Sequence, residues 1–314
     1  MDESGSFYNM PPDSTIAQKK IEGAKKDKTR ITIAFTCNAD GTDRFEPFFI
    51  GHAEKPRCFN KKTGQELGFY YKSNKKAWMT GLLFQDYLRR FDRHVNRPVL
   101  LLIDNVPSHI DEGVQLQNVT IKPLPPNTTS KLQPLDAGII ATFKQLYRRR
   151  QVQWGLDQLD IGKNPYKVDQ LQAMRWMKSV WSRLDQSVFV NCWNHTGLLE
   201  FHPSVMTPLA THPIAFTVPD VNIDPNMDFQ QEFDLFIQQA GIREAMSIEE
   251  FFNPAAEDSY TQEELMDEEI IALVQNDESQ TDPEEEEEVF SPYQCWSAKD
   301  KLTALAQTIA IIES

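Results

Sequence analysis

Three aspartates are the residues of this chain best suited to shared chemistry: Asp2 near its start, Asp104 directly after a short apolar run, and Asp136 at a predicted helix start. Carboxylate oxygens that converge from separate elements are the ligands that hard cations such as Mg²⁺ prefer. Two such ions about 4 Å apart can activate a water and stabilise the leaving oxygen of a phosphodiester. Each carboxylate also has a plainer interpretation: a loose terminus for Asp2, an Asp-Asn turn for Asp104 and a helix N-cap for Asp136.

The element that must position Asp104 is the apolar run at 99–103. Five consecutive apolar residues predict a short strand that is buried on both faces. The strand must stop at Asp104, because the turn residues Asn105, Pro107 and Ser108 follow it. A carboxylate at the end of a central strand lies where open α/β sheets place their ligands.

Strand and helix patterns alternate around this run. Before it, a period-two segment at 31–37, an Asp-Gly turn and a returning strand at 45–50 predict a hairpin, which the short first segment extends to a three-stranded meander. Residues 51–76 are predicted as loop, and Thr80 as the N-cap of a helix whose apolar residues recur at a 3–4 spacing.

After the run, the pattern predicts one more strand at 119–124, a helix from Asp136 onward and a long helix at about 168–190 that Gly197 closes. We therefore predict an α/β fold in which helices flank a mixed sheet.

The charge of the chain is uneven. Residues 1–200 carry 29 Lys and Arg against 21 Asp and Glu, whereas residues 201–314 carry 3 against 25. A basic body favours a polyanionic partner, with ordinary surface charge as the alternative. Prolines and a glutamate run at 284–288 predict a domain at 1–200 and an acidic, largely irregular tail at 201–314, with a terminal helix at 301–312.

Several classes of protein are disfavoured. The four cysteines are scattered, which argues for a reducing compartment and against a zinc knuckle or a disulfide framework. The apolar runs are too short to span a membrane, and the first residues lack the pattern of a signal peptide. A hydrolase that uses Ser108 and His109 is also disfavoured, because neighbours in one loop do not easily form a nucleophile–base pair.

The segments around the three acids carry a family resemblance. They read D-E-S-G at 2–5, L-I-D-N-V-P-S-H at 102–109, L-P-P-N-T-T-S at 124–130 and L-Q-P-L-D at 132–136. Over residues 2–197 the chain resembles the catalytic domain of the DDE superfamily endonucleases. The most similar branch is the pogo/Tigger-type transposases, which also gave rise to centromere protein B and the jerky proteins. The 31 residues between Asp104 and Asp136 are in keeping with the family's close spacing of its second and third acids.

This resemblance implies an RNase H-like fold and a nuclear enzyme that cleaves and transfers DNA strands. Asp2, Asp104 and Asp136 would be its catalytic residues and would hold two Mg²⁺ (or Mn²⁺) ions. A homo-oligomer is compatible with it, and neither a membrane nor a small-molecule substrate is expected. Asn105 and His109 would contact DNA or orient the loop after the strand. Phosphate contacts are expected from a set of basic residues, with a solvated basic face as the alternative: Lys25, Lys26, Lys28, Arg148, Arg149 and Arg150.

The chain departs from the family pattern in its first residues. The family's helix-turn-helix region does not precede the first acid, and Met1 falls directly before Asp2. This interpretation therefore expects a truncated first strand and reduced activity. A second interpretation, from a different class, is a catalytically inactive nuclear protein that retains the fold for DNA or protein binding.

Overall fold

The structure is a computed structural model that describes residues 1–12, 29–126, 128–199, 229–254 and 257. The compact unit that contains the sheet runs Met1–Ile270. Three residues with predicted phosphate contacts, Lys25, Lys26 and Lys28, lie outside the described residues, as do the glutamate run at 284–288 and the helix predicted at 301–312.

Four strands form the larger sheet, in the order in which they occur along the chain. The first two pairs are antiparallel and the last is parallel. The strands are β1 (Asp2–Phe7), β2 (Arg30–Phe35), β3 (Phe48–Gly51) and β4 (Tyr70–Ser73). The sequence predicted the first three, whereas β4 lies in the stretch that was expected to be loop. A four-residue strand has little periodicity of its own, so its pairing with β3 decides its conformation.

A second, two-stranded parallel sheet consists of β5 (Val99–Ile103) and β6 (Val119–Pro123). The backbone nitrogen of Met1 donates to the carbonyl of Leu102 at 2.8 Å, which holds the start of β1 beside the end of β5. The prediction that β5 is buried on both faces is wrong, because Leu100 is 61% exposed. Leu101 and Ile103, on the opposite face, are buried.

The helix predicted after Thr80 is confirmed as α1 (Gly81–His94), and the Thr80 side chain accepts a hydrogen bond from the backbone of Leu83. The single helix predicted at 168–190 is instead two helices, because Leu184 leaves helical geometry and Asp185 caps the second one. The remaining helices of this region are α2 (Thr129–Leu132), α3 (Ile140–Asp160), α4 (Gln170–Arg183) and α5 (Gln186–Thr196). Gly197 ends α5 in left-handed geometry, as predicted.

Helices cover both faces of the larger sheet. Alternate strand residues point to opposite faces, so the pairing of β1 with β2 places Asp2 on the same face as Phe35 and Glu3 on the same face as Ala34. The Phe35 face packs against α3, α4 and α5, whereas the Ala34 face packs against α1. The predicted α/β class, a mixed sheet flanked by helices, is therefore observed.

The chain beyond residue 200 also contributes to this unit. Helices α6 (Phe229–Ala240) and α7 (Ile248–Phe252) bury phenylalanines against α3 and the end of β1. These phenylalanines form one buried cluster with Phe7, Met10 and Val152. The structural unit thus extends past the boundary predicted at residue 200, and the part of the chain beyond that residue is called the acidic segment below. Among the described residues, no helix combines the length and the apolar character needed to cross a membrane.

Candidate metal centre

Asp2 is held in the interior by β1. It is 5% exposed, and its Oδ1 accepts a hydrogen bond from the backbone nitrogen of Glu3 at 2.8 Å. Burial raises the pKa of its carboxyl well above the usual value, and the nearby carboxylates of Asp136, Asp104 and Glu3 raise the pKa further. The expected loose terminus is therefore not observed, since Asp2 is paired with β2 and buried.

Asp136 lies on a short turn, Leu135–Ile139, that leads into α3 and is kinked at Gly138, where φ is 148°. The turn is linked to β1, because Gln133 Nε2 donates to the carbonyl of Met1 at 3.2 Å. The N-cap position of this turn is Pro134, and Asp136 lies inside its first turn rather than at the position that its plainer interpretation expected. Its carboxyl is instead within hydrogen-bonding reach of the Asp2 carboxyl.

Asp104 follows β5, and its side chain is 14% exposed. It is near enough to Asp2 for its charge to raise the pKa of that carboxyl. The structure thus brings Asp104 and Asp136 near Asp2, although the three residues come from a strand, a strand end and a helical turn. Asn105, the next residue, is exposed at the edge of this site.

His109 and Glu3 form a second group behind Asp104. His109 Nε2 is 2.9 Å from Glu3 Oε1, and His109 Nδ1 is 2.9 Å from Asp104 Oδ1. Burial alone would lower the pKa of His109, but the carboxylates of Glu3 and Asp104 raise it to about 10. At neutral pH both ring N–H groups therefore donate. Glu3 was not among the predicted site residues. The alternation of side chains along a strand was the signal that could have placed Glu3 on the opposite face of β1 from Asp2.

The carboxylates present fit a divalent cation. Asp2 Oδ2 is buried and accepts no hydrogen bond from a donor group in the described part of the chain. Ionising all three acids together is unfavourable without a counter-charge, as the raised pKa of Asp2 indicates. Oxygen donors of this kind suit Mg²⁺ or Mn²⁺. Glu3, Asp104 and His109 also offer ligand atoms within 4.8 Å of one another. In that group, however, the protonated imidazole already supplies the positive charge.

The predicted DNA contacts of the basic residues are mostly not available in this structure. Arg148 is 1% exposed and donates to Glu257 at 2.6 Å, so its side chain faces inward in this structure. Arg149 pairs with Glu232 at 2.9 Å, and the guanidinium of Arg150 lies 5.4 Å from the ring centre of Trp176. The side chains of the acidic segment and of α4 therefore occupy the positions where phosphates were expected.

The side chain of His109, for which a DNA contact or a role in orienting the loop was predicted, is 2% exposed. Its alternative role, orienting the loop after β5, is compatible with its contacts to Asp104.

Comparison with known proteins agrees with the resemblance described above. The family model "DDE superfamily endonuclease" matches residues 28–193, which include Asp104 and Asp136 but not Asp2. No solved structure matches significantly.

Among curated proteins, ARS-binding protein 1 of Schizosaccharomyces pombe is 32% identical over 302 residues, which cover 92% of this chain and 55% of that protein. CENP-B homolog protein 2 of the same organism is 28% identical over 318 residues, covering 97% of this chain and 59% of that protein. Tigger transposable element-derived protein 4 of Mus musculus is 28% identical over 200 residues, covering 62% of this chain and 38% of that protein. The chain thus spans less than two thirds of the length of these relatives. It belongs to the DDE superfamily endonucleases, in their pogo/Tigger-type branch.

Proposed function

We propose that this chain is the catalytic part of a metal-dependent DNA endonuclease and strand-transfer protein with an RNase H-like fold. Asp2, Asp104 and Asp136 would hold two Mg²⁺ or Mn²⁺ ions. The observation that carries the proposal is the buried Asp2 carboxyl on β1, which lies near enough to both of the other acids for their charges to raise its pKa. When bound, the ions would supply an activated water and charge stabilisation at the leaving oxygen of a phosphodiester.

The residues of the chain would contribute placement and charge. Asp2 would be held in place by β1, which is paired with β2 along its whole length. Asp136 is exposed and so lies on the side of the site from which a large substrate could approach. Neighbouring carboxylates repel one another, so the site would be stable in the ionised form only when the cations neutralise them.

DNA is the substrate that the comparisons favour. One relative is named for binding ARS elements, and another is named a transposable element-derived protein. Among the residues with predicted DNA contacts, Asn105 is exposed beside the acids and remains a candidate. Lys25, Lys26 and Lys28 also remain candidates, because they precede β2 in a stretch that the structure does not describe. A nuclear location and a homo-oligomer remain proposals.

The experiment that tests this function is a nicking assay on supercoiled plasmid with Mg²⁺ or Mn²⁺. We expect the wild-type chain to nick the plasmid and Asp104→Asn to lose the activity by at least about a hundredfold. The matched control is Asp111→Asn, an exposed aspartate in the same loop, which should retain the wild-type rate. Equal nicking by wild type and Asp104→Asn would contradict the catalytic role.

A second candidate function is DNA binding without cleavage. The names of the two Schizosaccharomyces pombe relatives favour it, since neither name describes a nuclease or a transposase. In this case the plasmid would be bound in a salt-dependent manner, and neither the wild type nor Asp104→Asn would nick it.

A further inference from the structure

We propose that Glu3 and His109 are positioning residues that fix the Asp104 carboxylate toward Asp2, and that they thereby set the affinity of the site for divalent cations. This inference rests on the proposed function, since it concerns how the acids of that site are held. Neither residue is expected to touch the substrate, because both side chains lie behind Asp104 and are largely buried.

Glu3 lies on β1, directly after Asp2. Neighbouring residues of a strand point to opposite faces, so Asp2 faces α3 while Glu3 faces α1. One strand therefore supplies a carboxylate to the site and another carboxylate to the layer behind it. Glu3 is 11% exposed, and its Oε1 accepts from His109 Nε2 at 2.9 Å.

Polar contacts and ring stacking restrain the side chain of His109. Its Nδ1 lies 3.2 Å from the Asp104 carbonyl and 2.9 Å from the Asp104 carboxylate. Its ring stacks on the fully buried Phe84, with 4.5 Å between ring centres. The backbone nitrogen of His109 also donates to the carbonyl of Val106 at 3.1 Å, and this hydrogen bond closes the turn between Asp104 and His109.

The orientation of the Asp104 carboxylate depends on these contacts. Asp104 follows the last residue of β5 and precedes a turn with a proline, so its own backbone does not determine where its carboxylate points. Its Oδ1 lies 2.9 Å from His109 Nδ1, so the charge of the imidazolium restrains the orientation of the carboxylate. A ligand must be held to within about 0.5 Å to bind a metal well, and partners in the layer behind the ligands supply that precision. The pair therefore links β1 to the loop after β5 and keeps the two acids at a fixed separation.

Amide side chains can separate the two contacts of the imidazole. In His109→Asn the amide nitrogen replaces Nδ1, so the contact with Asp104 is kept and the contact with Glu3 is lost. In His109→Gln the amide nitrogen replaces Nε2, so the contact with Glu3 is kept and the contact with Asp104 is lost. Loss of a partner behind a metal ligand typically weakens metal binding 10- to 100-fold. We therefore expect a 10- to 100-fold weaker affinity for Mn²⁺ in His109→Gln and a smaller loss in His109→Asn.

The measurement is Mn²⁺ binding to the full chain, followed by calorimetry or by the signal of free Mn²⁺ in electron paramagnetic resonance. Glu3→Gln, which removes the charge but keeps the shape, should weaken binding about tenfold. Controls are His52→Gln and Glu112→Gln, two exposed positions outside the site that should bind Mn²⁺ as the wild type does. Affinities of His109→Gln and Glu3→Gln within twofold of these controls would overturn the proposal.

A metal-free measurement separates this inference from the proposed function. Amide hydrogen exchange in residues 104–109 should become at least about tenfold faster in His109→Gln and Glu3→Gln, while exchange in α4 stays unchanged. If the wild type binds no Mn²⁺, the metal-dependent function fails, and the exchange rates alone decide whether the pair holds the loop. Unchanged exchange in both variants would refute the positioning role.

Discussion

Glu257 offers the sharpest test of how the acidic segment is attached to the body of the protein. Its carboxylate is fully buried, and its Oε1 accepts from the backbone nitrogen of Phe7 at 2.7 Å and from Arg148 Nη2 at 2.6 Å. Its Oε2 lies 3.2 Å from Lys144 Nζ. Glu257 thus forms ion pairs with two buried cations and accepts from a backbone N–H at the end of β1.

The change we consider is Glu257→Ala. Removing one partner of a buried ion pair typically costs about 3–5 kcal/mol, because the other charge is left uncompensated. Arg148 retains hydrogen bonds to the carbonyl of Phe7 at 3.0 Å and to Gln151 at 2.9 Å, which reduces the cost. The backbone nitrogen of Phe7 loses its acceptor, which adds about 1 kcal/mol or more. We expect the free energy of unfolding to fall by about 3–4 kcal/mol.

The assay is urea unfolding of the full chain at pH 7, followed by circular dichroism and extrapolated linearly to water. The matched control is Glu249→Ala, an exposed glutamate of α7, which should change the free energy of unfolding by no more than about 0.5 kcal/mol. Arg148→Met should cost less than Glu257→Ala, because Lys144 still neutralises Glu257. A cost for Glu257→Ala that equals that of the control would refute the buried ion pair.

Two further predictions concern stability. Burial disfavours the ionised form of Asp92, but hydrogen bonds from the backbone nitrogens of residues 117–119 outweigh it and lower its pKa below 3.8. The contribution of ionised Asp92 to the free energy of unfolding is therefore fully present above pH 3.8, and it is lost as the pH falls through the folded-state pKa. Asp92→Asn should unfold more easily in urea, and its difference from the wild type should shrink below about pH 4. Gly41 has a φ of 68°, and an added Cβ would lie 2.5 Å from the buried ring of Phe189, so Gly41→Ala should cost about 2 kcal/mol in the same unfolding assay. Gly113→Ala, at a similar φ of 77° with open space around it, isolates the backbone part, and equal costs would contradict the predicted clash.

Local patterns predicted several elements well. The strand that ends at Asp104 and the helix capped by Thr80 depend on residues close together in the sequence, and both are observed. The break at Leu184–Asp185 was also local, since the Asp185 side chain accepts from the backbone nitrogen of Ser187. It was missed because the apolar spacing continues across it.

Contacts between distant residues could not be predicted. Runs of Lys and Arg usually face solvent, so Arg148 was expected to bind phosphate. Its partner Glu257 lies 109 positions away, and nothing in either segment indicates the pairing. Likewise, Glu3 and His109 are 106 positions apart, and only the packing of β1 beside β5 makes them neighbours.

The sequence by itself indicated three aspartates as candidates for shared chemistry, each placed at a strand or at the start of a helical turn by its neighbours. These preferences are local, because strand, turn and helix propensities depend on residues a few positions apart. Only the tertiary structure decided that Asp2 is buried near the other two acids, that His109 contacts Asp104 and that Arg148 faces inward. Burial and charge pairing depend on segments that the chain brings together only on folding, which is why these features were not visible in the order of the residues.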